Sequence, residues 1–169
     1  DALMFVRGLV AAGKTAAARD IVIQFARFEI QGTLPNMIQA ENAANRDTSD
    51  APLWLIVACA DLVRADKNEQ FLESDCGGRS IRQILLSIGQ SIKLGTPNGV
   101  RMDPESGLIF SPTHFTWMDP NHPAGTPRQG YPIEIQALWH AALCFLSKID
   151  SAKAAKSWQQ LAQQVQDSI

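Results

Sequence analysis

The sequence predicts an all-α chain of paired helices, with long loops gathered on one face and one small β-hairpin. Three observations predict it. Apolar residues recur at helical spacing through most of the chain. Strand-type alternation is confined to "GVRMDPESGLIF", around an Asp-Pro-Glu-Ser-Gly turn. Short and long connections alternate between the helical runs, which lets rigid hairpins carry all the long loops at one end. With 169 residues, 46% of them hydrophobic and 19% charged, the chain holds one core and too little charge for disorder.

Leu3 to Ala12 reads as the first helix, with Gly13 as its left-handed stop. Thr15 caps and starts a second, whose Ala18, Ile21, Val22 and Phe25 share a face. The following "EIQGTLPNMIQAENAANRDTSD" is long for a compact domain, and loops of that length are commonly functional. Leu53, Ile56, Val57 and Ala60 define a third helix over about 51–65. Ile81, Ile84, Leu85, Ile88 and Ile92 define a fourth. After the hairpin, "TWMDPNHPAGTPRQGYP" leads into a fifth helix over 133–149, apolar nearly all round and therefore expected to be buried on most sides. A sixth covers 151–167, with Ala155, Trp158, Leu161, Ala162 and Val165 inward.

A net charge of −2 and a pI near 5.9 give no basic face for nucleic acid or anionic lipid. No apolar run reaches the roughly 18 residues of a membrane span. Cys59, Cys76 and Cys144 show neither zinc nor redox spacing, and Cys59 and Cys144 read as buried, reduced thiols in a reducing, cytoplasmic setting. His114, His122 and His140 show no metal-ligand spacing either, so no cofactor is expected. The chain opens on "DALMFVRGLV", already inside an apolar pattern and without a Met or signal peptide, which reads as a cut.

"GLVAAGKT", Gly8 to Thr15, matches the phosphate-loop pattern G-x-x-x-x-G-K-[ST]. A phosphate loop needs a preceding strand and extended backbone to aim its N–H groups. "LVAA" favours helix, and no α/β alternation follows. Helix, Gly stop and Thr cap explain the same letters.

The long loops carry Asn36, Asp47, Asp50, His114, Trp117, Asp119, His122, Arg128 and Tyr131. Rings beside carboxylates and amides suit a sugar, whose apolar faces stack while its hydroxyls take hydrogen bonds. "GTLPNMI", "TSDAPLWLIVA", "GLIF", "TWMD" and "TPRQGYPIEIQALW" together resemble the glucosidase domain of glycogen debranching enzymes, the amylo-α-1,6-glucosidases. The likeness runs in order over nearly the whole chain. Gln136 departs from a usual Asn, Ile133 from a usual Val, and the chain stops where that family continues for further helices.

The resemblance implies an (α/α)6 toroid, of which residues 1–169 are about half, and inverting hydrolysis of single α-1,6-linked glucose branches on glycogen or limit dextrin. Such hydrolysis needs one carboxyl acid and one carboxylate that activates water. The resemblance makes Asp50 the acid, although Asp at a helix start is also a favoured cap. Glu134 is the second catalytic candidate, as a contact to a glucose hydroxyl or to water ahead of a role as general base, with an ion pair to Arg128 as the plain alternative. Asn36, Trp117, Asp119, Arg128 and Trp54 are expected to bind substrate. Trp117 is the better stacking platform, whereas Trp54, on a helix, leans toward core. The partners implied are an α-glucan and, through exposed toroid faces, a second copy. The rival readings are another (α/α)6 α-glucosidase, trehalase-like, and a non-catalytic carbohydrate-binding domain.

Overall fold

A computed structural model describes residues 2–39, 43–117 and 127–169. Six α-helices account for most of it: α1 (Ala2–Ala11), α2 (Thr15–Ala26), α3 (Ala51–Asp66), α4 (Ile81–Leu94), α5 (Ile133–Ile149) and α6 (Ala152–Asp167). A two-stranded antiparallel hairpin, β1 (Arg101–Met102) and β2 (Ile109–Phe110), pairs Arg101 with Phe110 and Met102 with Ile109. A 3-10 turn at Gln70–Glu73, which the sequence pattern does not announce, seats Phe71 and Leu72 under the α3–α4 connection.

The helices form two rows. α1, α3 and α5 lie side by side, α3 touching both neighbours; α2 backs α1 and α3, and α6 backs α5 most extensively of all. α4 packs against α5 and meets α6 through Gly89. The core between the rows is apolar and shut off from water: Leu53, Ile56, Leu62, Ile84, Leu85, Ile88, Trp139, Leu143 and Leu146 all show 0% exposure. At roughly 2 kcal/mol for each large side chain fully buried, this interface is the main source of stability.

Local rules explain most ends. Gly13, at φ +71°, takes the left-handed conformation that closes α1. α4 starts in a capping box, Ser80 Oγ accepting from Gln83 N while Gln83 Oε1 accepts from Ser80 N. The expected Thr15 cap is corrected: the capping position is Lys14, with no side-chain bond, and Thr15 is the first helical residue. Lys14 N donates to Leu9 O at 2.8 Å and Ala12 N to Gly8 O at 3.0 Å. The N–H groups that a phosphate loop would aim inward are thus engaged in helix-end bonds, and the phosphate-loop pattern has no matching structure.

α5 also departs from expectation. Its α3, α4 and α6 sides are buried through Ile135, Trp139, Leu143 and Leu146, but Ile133 is 59% exposed, and Ala137 and Ala141 face out. Cys144, expected to be buried, is half-buried, with Sγ 3.8 Å from His140 Nε2. Nothing among the described residues packs on that stripe. Gln136 is a brace: its amide donates to Ile109 O and its Oε1 accepts from Ile109 N, at 2.9 and 2.8 Å, pinning β2 onto α5. No described helix is long and apolar enough to cross a membrane.

Candidate active site

The start of α3 shows how the chain prepares a carboxyl. A helix N-terminus normally asks its capping residue to satisfy orphan N–H groups. Here Asp50 holds the capping position, yet its side chain makes no cap bond. Ala51 N is taken by Thr48 Oγ1 at 3.3 Å, and Pro52 has no N–H to satisfy. The Asp50 carboxyl is therefore released from capping. Its Oδ1 accepts from the Thr48 hydroxyl at 2.6 Å. Burial raises its pKa above the ordinary aspartate value, and the Thr48 bond opposes that rise without cancelling it.

The segment that carries Asp50 is fixed from three sides. Ser49 N donates to Phe115 O at 2.8 Å, and Ser49 Oγ lies 2.8 Å from Ser111 Oγ, both residues being buried. Ser111 exchanges both backbone bonds with Gly130, which joins this anchor to the approach of α5. Arg46 reaches back to Phe28 O, Thr33 O and Thr33 Oγ1, tying together the ends of the loop that holds Asn36.

Two cavities meet at Asp50. The larger, about 700 Å³, is walled by Met4, Gln24, Phe25, Asn36, Thr48 and Thr116 together with Asp50, Trp54 and Trp117. The smaller, about 390 Å³, shares Met4, Asp50, Trp54 and Trp117 and is closed by Glu134, Ala137 and Leu138 of α5. α1, α3 and α5, the front row of helices, thus each contribute to one wall. The structure brings Asn36, Asp50, Trp54, Trp117 and Glu134 onto this connected surface. Trp117 is 64% exposed, free to offer a ring face. Trp54 is half-buried: it packs on the core, as its helical position favours, and it also lines both cavities.

Arg128 bonds Glu134 through its guanidinium, both half-buried, so the pair expected from sequence is present and holds Glu134 as a carboxylate acceptor at the cavity wall. Arg128 itself takes φ +50°, a conformation that costs a non-glycine residue energy. Asp119 and His122 lie outside the described residues. His114 lines neither cavity. Sequence reasoning passed over Thr48, Gln24 and Thr116. Thr116 Oγ1 is buried at the larger cavity with no hydrogen-bond partner among the described residues, a polar atom that a ligand hydroxyl or water can satisfy. Only Thr48 left a trace in the sequence, as a hydroxyl residue two positions before a helix-start Asp. Among the described residues no cluster of His, Cys, Asp or Glu could hold a metal ion.

A half-buried carboxyl with a raised pKa, flanked by two tryptophans and a second carboxylate in an open cavity, places ring faces beside hydrogen-bonding groups. The chain matches the amylo-alpha-1,6-glucosidase family over residues 1–169 and belongs to it. Membership makes it a glycosidase-type chain related to glycogen debranching, with α-glucan as the substrate class the family implies. No curated protein matches the chain.

Proposed function

We propose that the protein hydrolyses single α-1,6-linked glucose branches of glycogen or limit dextrin with inversion, and that Asp50 is the general acid. The observation that supports this most is the placement of Asp50 where two cavities join, beside Trp54 and Trp117, with its carboxyl freed from the helix cap. An acid must lie at the glycosidic oxygen, between the glucose that leaves and the chain that remains. A group shared by two adjoining cavities meets that requirement, and its raised pKa keeps a larger share protonated near neutral pH.

In this reading the glucose ring stacks on Trp117 with Trp54 at its edge. Glu134, held by Arg128, accepts from a glucose hydroxyl or from water, and Asn36 offers an amide from the opposite wall. Asp50 gives its proton to the leaving oxygen as the anomeric carbon–oxygen bond breaks. Water attacks from the other face and loses its proton to a base, which sets the inverted configuration. We place that base outside these residues and read the chain as about half of an (α/α)6 toroid. The front row of α1, α3 and α5 lining the cavity, with α2, α4 and α6 behind, supports that reading.

The test is glucose release from a branched limit dextrin against a linear maltooligosaccharide by the protein that carries this chain. Release from the branched substrate alone supports the linkage, and equal release from both favours a different α-glucosidase. Asp50→Asn should lower turnover by 10²–10⁴-fold, the usual worth of a positioned acid, while leaving dextrin binding nearly intact. Turnover that survives the change removes Asp50 from the mechanism. Dextrin binding with no turnover by the unaltered protein favours a binding domain.

A further inference from the structure

We propose that Thr48 is a positioning residue for Asp50, directing its hydroxyl proton onto Oδ1 so that Oδ2 is the oxygen left to carry the proton that is transferred, and that Asn98 anchors Thr48 from beneath. As a statement about proton transfer this rests on the glycosidase reading; as a statement about the Thr48–Asp50 bond it does not.

A threonine hydroxyl has one proton to give, and its direction follows from what the oxygen accepts. Thr48 Oγ1 accepts from Ala51 N at 3.3 Å, which turns its own proton toward Asp50 Oδ1, 2.6 Å away. The residue is 3% exposed, so water does not compete for that proton. Among the described residues Oδ2 has no side-chain partner, and the carboxyl borders both cavities.

Thr48 cannot simply swing away, because its backbone is held by a residue distant in sequence. The Asn98 side-chain amide donates to Arg46 O at 2.7 Å and to Thr48 O at 3.4 Å. The Asn98 Oδ1 lies 2.6 Å from Thr96 Oγ1, whose one proton it shares with Val100 O at 2.9 Å. Ser49 is fastened on the other side to Phe115 and Ser111. A loop held at consecutive residues from two directions keeps the hydroxyl–carboxyl distance, which is the condition for one oxygen of a carboxyl to be reserved.

Among the described residues few charges face this carboxyl. The Arg128–Glu134 pair stands on the wall of the smaller cavity, α2 presents the neutral Gln24, and the backbone N–H groups of Asp50 and Ala51 act in the same direction as Thr48, toward the ionised form. Removing the Thr48 proton therefore has a defined sign. The ionised carboxyl loses a donor, burial acts with less opposition, and Asp50 titrates at higher pH.

The experiment is a pH titration of the Asp50 side-chain carbon by NMR in the 169-residue chain and two variants. Thr48→Val, nearly isosteric, should move the Asp50 midpoint to higher pH, and Thr48→Ser, which keeps the hydroxyl, should return it to the wild-type position. An unchanged midpoint in Thr48→Val overturns the proposal, as does a Thr48→Ser midpoint that follows Val. Should Thr48→Val fail to fold, the wild-type Thr48 hydroxyl proton supplies the answer. It should be protected from exchange and shift with the Asp50 titration, and a freely exchanging hydroxyl overturns the assignment. Glucose release has no part in these measurements. A protein that titrates as stated but hydrolyses nothing refutes the glycosidase reading and leaves the Thr48 assignment standing.

Discussion

At Asp50 the requirements of stability and of chemistry pull apart. Burial raises its pKa, so the folded state holds the proton more tightly than the unfolded chain does, where aspartate ionises at about 3.9. The sign follows by linkage. The stability this group contributes is fully present below the unfolded value and is lost as pH rises through the folded one, because a half-buried carboxylate must then be ionised. Asparagine keeps the shape and the acceptor for Thr48 but cannot ionise. Asp50→Asn should therefore melt at a higher temperature than wild type at neutral pH, with the gap closing toward about pH 4. Thermal unfolding at the two pH values checks this, and a variant less stable than wild type at neutral pH would contradict it. The sequence showed Asp50 as two things at once, a cap and an acid. Its release from capping depends on Thr48 and on Pro52, and on an Asn98 amide that no local pattern connects to it.

Element boundaries followed closely from periodicity because the apolar spacing and the stop signals agree. Gly13, the Ser80–Gln83 capping box and the isoleucine stripe of α4 all point to the same helices. What periodicity could not show is which side of an apolar helix stays open. α5 is apolar nearly all round, yet its cover among the described residues comes from α3, α4, α6 and the β-hairpin, and the rest forms cavity wall and exposed stripe. Nor could it show why a glycine sits inside α4. Gly89 is where α4 meets the α5–α6 hairpin: a Cβ there would lie 2.6 Å from Leu146 Cδ1 and 3.1 Å from Trp158 Cη2. Leu146 is fully buried, and Trp158 is held by its Nε1 bond to Asp150 Oδ2 at 2.7 Å, so neither has room to yield. Alanine is the better helix former by about 1 kcal/mol, but overpacking costs about 1–3 kcal/mol. Gly89→Ala should consequently destabilise the protein on balance, seen as a lower urea midpoint with unchanged slope; a raised midpoint would show that the contact can relax.

On the scale of the whole molecule, the cavity is open on the side where α1 and α5 turn their apolar faces outward. Phe5 is 62% exposed, Met4 40% and Ile133 59%, and all three belong to front-row helices. A toroid would cover such faces with its remaining helices, and the same helices would bring the second carboxylate opposite Asp50. Among the described residues, the carboxylates on the cavity walls are Asp50 and Glu134, and Glu134 is engaged by Arg128. An acid alone protonates the leaving oxygen while the water on the other face stays unactivated, and loss of a positioned base typically costs 10²–10⁴-fold. On the half-toroid proposal, the 169 residues by themselves should release glucose from a branched limit dextrin at least that much more slowly than a complete toroidal protein containing them. They should also associate with rising concentration as the apolar faces of two copies meet, which sedimentation would register and Phe5→Gln should weaken. Comparable rates from the short chain would place the base within it, make Glu134 the first candidate for that role, and remove the need for any further helices in the chemistry.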